Sequence, residues 1–201
     1  MIINFFGQAC FRLQGDKSTL VTDPLDESCG LKIPRLSADI VTISNNQKEH
    51  NVKGLVDQPP FTIDQPCEYE IKNTFVYGIA GNQKVIYRIE MDGITLVHLG
   101  EINAPLSNGE MEKLEGVDIL MIPVGGEKTL NAKQATELIS QLEPRIVIPM
   151  YYQLPGLKIK LDGLDKFCKE IGASASEKTN KFKITKKDLP QEDIKVVILE
   201  P

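Results

Sequence analysis

The segment ISNNQKEHN, residues 43–51, concentrates polar side chains that could hold a metal ion. Glu49 and His50 are adjacent, and a carboxylate oxygen and a neutral imidazole nitrogen are both good ligands for zinc or manganese. Asn45 and Gln47 precede them with neutral amide oxygens, which bind zinc weakly. The segment therefore has the close polar spacing of a metal-binding loop but only two strong ligands.

The histidine and cysteine content limits the metal chemistry of the whole chain. Only two histidines are present, His50 and His98. His98 lies in the strand-like run LVHLGE, where we expect a packed or partly exposed side chain that is not a ligand. The four cysteines lie in different segments and form no C-x-x-C pair, which favours free thiols over a zinc knuckle or a disulfide framework.

Other catalytic arrangements have weaker support in the sequence. A serine hydrolase with a nucleophile elbow needs G-x-S-x-G, which is absent. Cys67, in PCEYE, has no base or cation beside it in the sequence, which favours a structural thiol over a nucleophile. Gly125 and Gly126, in PVGG, predict a turn and not a phosphate loop, because no G-K-[ST] follows. Glu49 and Glu101 could transfer protons without a metal if burial raised the pKa of one of them.

Short strands must position these residues in the first half of the chain. STLVTDP predicts a strand that leads into Asp23, and the β-branched run ADIVTI predicts a buried strand that leads into ISNNQKEHN. The tripeptide MDG between two apolar runs predicts a hairpin, whose second strand leads to Glu101.

The second half alternates strands and helices. GVDILMIPVGG and RIVIPMYY predict buried strands. Between them, NAKQATELISQLEP predicts a helix with Asn131 as its N-cap and Pro144 as its stop. LDGLDKFCKEIGA predicts a second helix that ends at Gly172. The pattern favours a mixed α/β protein with helices packed on sheets, and we expect a single domain over residues 1–201.

Composition narrows the function classes. The 201 residues include 41% hydrophobic and 25% charged residues, and the net charge of −5 disfavours nucleic acid as a main partner. The N-terminal segment MIINFFGQACFRL lacks the basic and long apolar regions of a signal peptide. No apolar run approaches the roughly 18 residues of a membrane span. We therefore expect a cytoplasmic protein with no membrane partner.

Four segments in order resemble a known family. FFGQACFRLQGDKSTLVTDP, ADIVTISNNQKEHN, LVHLGE, and GVDILMIPVGG with PRIVIPMYY are similar to motifs of small metallo-β-lactamase-fold proteins labelled metal-dependent hydrolases, near the ascorbate-phosphate lactonases. The resemblance spans nearly the whole chain. It implies an α/β fold, a four-layer αββα sandwich, in which two sheets lie face to face with helices outside and the active site at one sheet edge.

The resemblance also implies which positions would form the metal site. Eight positions match the family's metal ligands or their supports: Gln8, Asp23, Asn45, Gln47, Glu49, His50, Glu101 and Tyr151. Gln8, Asn45, Gln47 and Tyr151 stand where the family has histidines, and GIAGNQ at residues 78–83 lacks a further one. Asp23 keeps the family's supporting aspartate. The histidine-rich first metal position is therefore lost.

Two functional hypotheses follow. The first is a pseudoenzyme with a degenerate metal site and a binding, regulatory or scaffolding role. The alternative is a hydrolase of an ester, lactone or phosphoester that uses a reduced site, either metal-free or with one zinc or manganese ion on Glu49, His50 and Glu101. We expect no cofactor beyond that one ion. The sequence does not identify the small-molecule ligand or protein partner, and the resemblance is compatible with a homo-oligomer.

Overall fold

Two large β-sheets form the framework of the computed structural model, which describes residues 1–32, 34–45, 59–81, 84–172 and 178–201. The first half of the chain forms five strands of the six-stranded sheet: β1 (Ile2–Gly7), β2 (Cys10–Gln14), β3 (Thr19–Thr22), β4 (Ile40–Thr42) and β5 (Phe61–Ile63). The seven-stranded sheet begins with β6 (Glu68–Ile71), β7 (Thr74–Ala80), β8 (Val85–Met91) and β9 (Ile94–His98). The later elements are β10 (Ile119–Pro123), β11 (Ile146–Met150), β12 (Lys178–Thr179), β13 (Phe182–Lys183), β14 (Lys195–Val196) and β15 (Ile198–Leu199).

The strand order brings the carboxyl ends of several strands to one edge. The first sheet has the order β13-β1-β2-β3-β4-β5, with β3, β4 and β5 parallel. The second has the order β14-β11-β10-β9-β8-β7-β6, with β9, β10, β11 and β14 parallel. The predicted MDG hairpin is confirmed as the β8–β9 connection, where Asp92 and Gly93 have the positive φ values, 52° and 75°, that a tight hairpin turn requires.

In the part of the chain that the structure describes, three α-helices connect the parallel strands of the second sheet: α1 (Asn108–Lys113), α2 (Ala132–Leu142) and α3 (Leu164–Ile171). The predicted caps are confirmed. Asn131 accepts a hydrogen bond from the Gln134 backbone N–H at the start of α2, and α3 ends at Gly172, whose φ is 68°. Among the described helices, none combines the length and the apolar character needed to cross a bilayer.

The core lies between the two sheets and between the second sheet and its helices. Strands β10 and β11 are buried at every position, because the first sheet covers one face and helices the other. Tyr87 on β8 of the second sheet is fully buried. Its hydroxyl lies 2.8 Å from the carbonyl oxygens of Ile43, just after β4, and Ile63, in β5, so this side chain joins the two sheets. The predicted mixed α/β class with two facing sheets is confirmed. The helical layer seen in the described residues is the one on the second sheet.

Asp39 clamps the sheets together at the edge opposite the predicted site. Its carboxylate accepts hydrogen bonds from the Thr19 backbone N–H at 2.8 Å and from Lys72 Nζ at 2.5 Å, in the β6–β7 turn. The bond from Lys72, and then that from Thr19, hold the pKa of Asp39 below its ordinary value of 3.8. The ionised carboxylate therefore stabilises the fold fully at pH values above its ordinary pKa. This contribution is lost as the pH falls through the lower pKa of the folded state.

We expect Asp39→Asn to have a lower melting temperature than the parent at pH 7. Acidification to pH 3 should then lower the melting temperature of the variant by less than that of the parent, because the variant has no carboxylate to protonate at this position. Thermal melts of both proteins at the two pH values measure this difference. Asp193→Asn, at an exposed position, is the control and should behave as the parent does. An equal acid-induced loss in the parent and in Asp39→Asn would contradict the role of this clamp.

Candidate functional site

Asp23 and Ser44 form the centre of the site. Asp23 follows β3 and is fully buried, and its backbone N–H donates to the Thr42 carbonyl at 2.8 Å. Its Oδ1 accepts from the Ser44 backbone N–H at 2.6 Å, and its Oδ2 accepts from Ser44 Oγ at 2.7 Å. Each oxygen of this carboxylate thus already has a short hydrogen bond from the loop after β4.

The loop after β9 packs directly against this pair. Gly100 has a φ of 59°, and a Cβ added there would lie 2.6 Å from Ser44 Cβ and Oγ. Only glycine fits this close approach. Glu101 comes next and is 5% exposed, so the packing of Gly100 places a carboxylate residue beside the Asp23–Ser44 pair.

Lys84 reaches the same place from the start of β8. The Val85 backbone N–H donates to the Ser44 carbonyl at 2.8 Å, which fixes the chain next to the Asp23–Ser44 pair. Lys84 is half-buried, and its Nζ donates to the Glu101 carbonyl oxygen. Burial lowers the pKa of Lys84, while attraction by the Glu101 and Asp23 carboxylates opposes that shift. The positive charge of Lys84 is therefore attracted by both acidic residues.

Gln8 and Tyr151 form the opposite side of the site. Both are buried, and both have positive φ values, 48° and 55°, which are uncommon for residues other than glycine. The Tyr151 backbone N–H donates to the Gln8 carbonyl at 2.9 Å. Within the described residues, the side-chain amide of Gln8 has no hydrogen-bond partner. Asp23 also has a positive φ, 38°, so strained backbone recurs at three positions around the site.

His98 lies beneath the site as a packed strand residue, as predicted. It is fully buried, and its Nε2 lies 2.9 Å from the Ala9 carbonyl. A carbonyl only accepts, so Nε2 carries the proton. The Ala9 carbonyl also accepts from Thr22 Oγ1 at 2.7 Å. His98 Nδ1 is 3.9 Å from Asp23 Oδ2, so the ring lies beside this carboxylate at the sheet interface.

The predicted site residues are thus divided. The structure brings five of them to one edge of the sheets: Gln8, Asp23, Asn45, Glu101 and Tyr151. Asn45 is 7% exposed and follows Ser44 directly. Gln47, Glu49 and His50 lie outside the described residues, so the predicted single-ion site on Glu49, His50 and Glu101 stays a prediction.

The described part of the site does not fit the dinuclear centre that the resemblance implies. Of the positions that the resemblance assigns to histidine, Gln8, Asn45 and Tyr151 lie among the described residues, and none of them supplies an imidazole. Across the parts of the chain that the structure describes, no three His, Cys, Asp or Glu side chains converge as a metal-binding group. His98 Nε2 is bonded to the Ala9 carbonyl, and His50 is the other histidine of the sequence, so the chain has too few imidazoles for a histidine-rich dinuclear centre.

Two further predictions concern residues near this edge. Burial raises the pKa of the Cys67 thiol, and its Sγ donates to the Gln65 carbonyl at 3.0 Å, which agrees with an unactivated thiol. Gly125 and Gly126 follow β10 in a turn, where Gly126 has a φ of 64° and its N–H donates to the Leu130 carbonyl at 3.0 Å. The prediction of a turn at the sheet edge is confirmed.

Sequence reasoning missed Ser44 and Lys84. Ser44 lies between the predicted strand and the predicted ligands, and a serine there gives no signal of its own. Lys84 directly follows the GIAGNQ segment, which was notable only for its missing histidine. A lysine beside a lost ligand position is the signal that could have identified it.

Comparison with known proteins identifies the family. A family model described as a beta-lactamase superfamily domain matches residues 2–151. The chain belongs to this family. A crystal structure from Thermotoga maritima, of a proposed Zn-dependent hydrolase of the metallo-beta-lactamase superfamily, superposes with a TM-score of 0.85 and 32% identity, over 100% of both chains.

Relatives of this beta-lactamase superfamily chain carry hydrolase names. A UPF0173 metal-dependent hydrolase of Methanospirillum hungatei is 24% identical over 100% of this chain and 96% of its own length. Another from Thermococcus onnurineus is 23% identical over 75% of this chain and 84% of its own. The metallo-β-lactamase fold and a family of named metal-dependent hydrolases are therefore established.

Proposed function

We propose that this chain is a metallo-β-lactamase-fold protein that lacks the dinuclear metal centre and the hydrolase activity that depends on it. The observation that carries the proposal is the loss of imidazoles: the chain has two histidines, His50 and His98, which is too few for a histidine-rich dinuclear centre. The Asp23–Ser44 hydrogen bonds and the attraction between Lys84 and the Asp23 and Glu101 charges support it, because they give these two residues favourable interactions that need no metal. The role that this leaves is binding, regulation or scaffolding.

A retained binding role has support of its own in the Gln8 amide. Its oxygen and nitrogen are buried and lack a hydrogen-bond partner among the described residues. Leaving such groups unsatisfied costs about 1–3 kcal/mol, so buried amides are normally paired. A small polar ligand that hydrogen-bonds to Gln8 would remove this cost.

The alternative is a hydrolase with a reduced site, and the names of the relatives favour it. In this case one zinc or manganese ion on Glu49, His50 and Glu101 would supply an acidified water, or the carboxylates would act without a metal. A single imidazole with two carboxylates is a sufficient ligand set for one ion in principle. The two candidates differ in metal content and in turnover.

Metal analysis of the purified full chain tests the proposal. After dialysis against zinc or manganese and removal of excess ion, we expect far less than one ion per chain. Hydrolysis of ester, lactone and phosphodiester substrates should not exceed the buffer rate. His50→Ala is the matched variant, and its metal content and turnover should equal those of the parent. Stoichiometric metal with measurable turnover that His50→Ala abolishes would overturn the proposal in favour of the single-ion hydrolase.

A further inference from the structure

Lys84 is a half-buried cation at the edge of the sheets that holds the candidate site. We propose that the Lys84 ammonium replaces the positive charge of the lost metal, neutralises the Asp23 and Glu101 carboxylates, and so keeps divalent ions out of this edge of the sheets. This proposal rests on the proposed function above, and it explains how the buried carboxylates are stabilised without a metal ion.

The backbone holds Lys84 in place for this role. The hydrogen bond from the Val85 N–H to the Ser44 carbonyl, 2.8 Å long, ties the residue after Lys84 to the residue that binds Asp23. The Gly81 N–H donates to the Lys84 carbonyl at 2.9 Å, just before β8. Since both bonds join backbone groups, the position of Lys84 does not depend on the charge of its side chain.

The side chain then connects to the acidic residues. Lys84 Nζ donates to the carbonyl of Glu101, the residue after Gly100, which packs on Ser44. The charges of Glu101 and Asp23 both attract the ammonium. Asp23 is fully buried and Glu101 is 5% exposed. Two ionised carboxylates at one buried site repel each other, and a nearby positive charge offsets that repulsion, as a metal ion does in a metal site.

Exclusion of metal follows from the same charge. A divalent ion placed beside Asp23 and Glu101 would have to displace the ammonium or lie close to it, and like charges repel strongly in a partly buried site. Removing the Lys84 charge should therefore weaken the fold and, at the same time, create a site with affinity for a divalent cation.

The test compares Lys84→Met with Lys128→Met, a control at an exposed lysine, by thermal melts of the full chain at pH 7 with and without manganese chloride. We expect Lys84→Met to melt lower than the parent by about 4 °C or more, and manganese to restore at least half of this loss. Manganese should leave the parent and Lys128→Met unchanged. The double variant Lys84→Met/Glu101→Gln removes one carboxylate with the cation, and should regain stability without manganese.

The outcomes separate the two proposals. If Lys84→Met melts as Lys128→Met does, or if manganese raises the parent as much as Lys84→Met, the role of Lys84 is overturned even when the parent purifies without metal. If Lys84→Met does not fold, the double variant decides, and a double variant that also fails to fold would overturn the charge argument. Stoichiometric metal and turnover in the parent would instead overturn the proposed function.

Discussion

Gly125→Ala is expected to destabilise the protein by about 3 kcal/mol, although it adds a single methyl group. The added Cβ would lie 2.1 Å from the Tyr151 carbonyl oxygen and 3.2 Å from Leu161 Cβ. Neither neighbour moves easily. The Tyr151 N–H is bound to the Gln8 carbonyl, and the Gly125 carbonyl accepts from the Asp162 N–H at 2.7 Å. Urea unfolding followed by circular dichroism measures the change in the free energy of unfolding.

The matched control is Gly109→Ala in α1, where an added Cβ meets no atom within 4 Å. Alanine is a better helix former than glycine, so this variant should be unchanged or more stable by up to about 1 kcal/mol. Equal denaturation midpoints for the two variants would show that the close approach of Gly125 to Tyr151 is not rigid. The pair therefore measures how firmly the turn after β10 holds the Gln8–Tyr151 side of the site.

Elements with local signals were predictable from the sequence. The start of α2 depends on Asn131 and Gln134, three residues apart, and the β8–β9 turn depends on the adjacent Asp92 and Gly93. Each of these motifs satisfies its own backbone groups, so its conformation is largely independent of the rest of the chain.

The general location of the site was also predictable, for a reason of topology. Asp23, Asn45, Glu101 and Tyr151 come soon after the ends of β3, β4, β9 and β11. Strands β3 and β4 are parallel, as are β9, β10 and β11, so the carboxyl ends within each sheet lie at one edge. The motif order of the resemblance places the same residues at that edge.

The interactions within the site were not predictable, because they join residues far apart in the sequence. Ser44 meets Asp23 across 21 positions, and Lys84 meets Glu101 across 17. No periodicity or spacing rule specifies which side chain fills a position once the histidines are gone. The choice depends on charge balance among loops that only the packed sheets bring together.

Asp23→Ala is expected to destabilise the protein by about 3–5 kcal/mol. It would leave the N–H and the Oγ–H of Ser44 buried without their acceptor, at about 1–3 kcal/mol each. Alanine at the Asp23 φ of 38° adds about 1 kcal/mol, since a left-handed conformation suits aspartate and asparagine better. Urea unfolding of the full chain gives the total, and Asp23→Asn, which keeps the shape and tolerates this φ, should show a smaller loss.

A double-mutant cycle then separates the hydrogen bonds of Asp23 from its charge. Ser44→Ala removes one of the two donors and should lower the free energy of unfolding by about 1 kcal/mol. If Asp23→Ala lowers it by no more than this, Asp23 does not hold the site together. The charge is measured by Asp23→Asn in the parent and in Lys84→Met. If the Asp23 carboxylate is stabilised by the Lys84 ammonium, removing its charge should harm the parent more than it harms Lys84→Met, in which the carboxylate no longer has its cation.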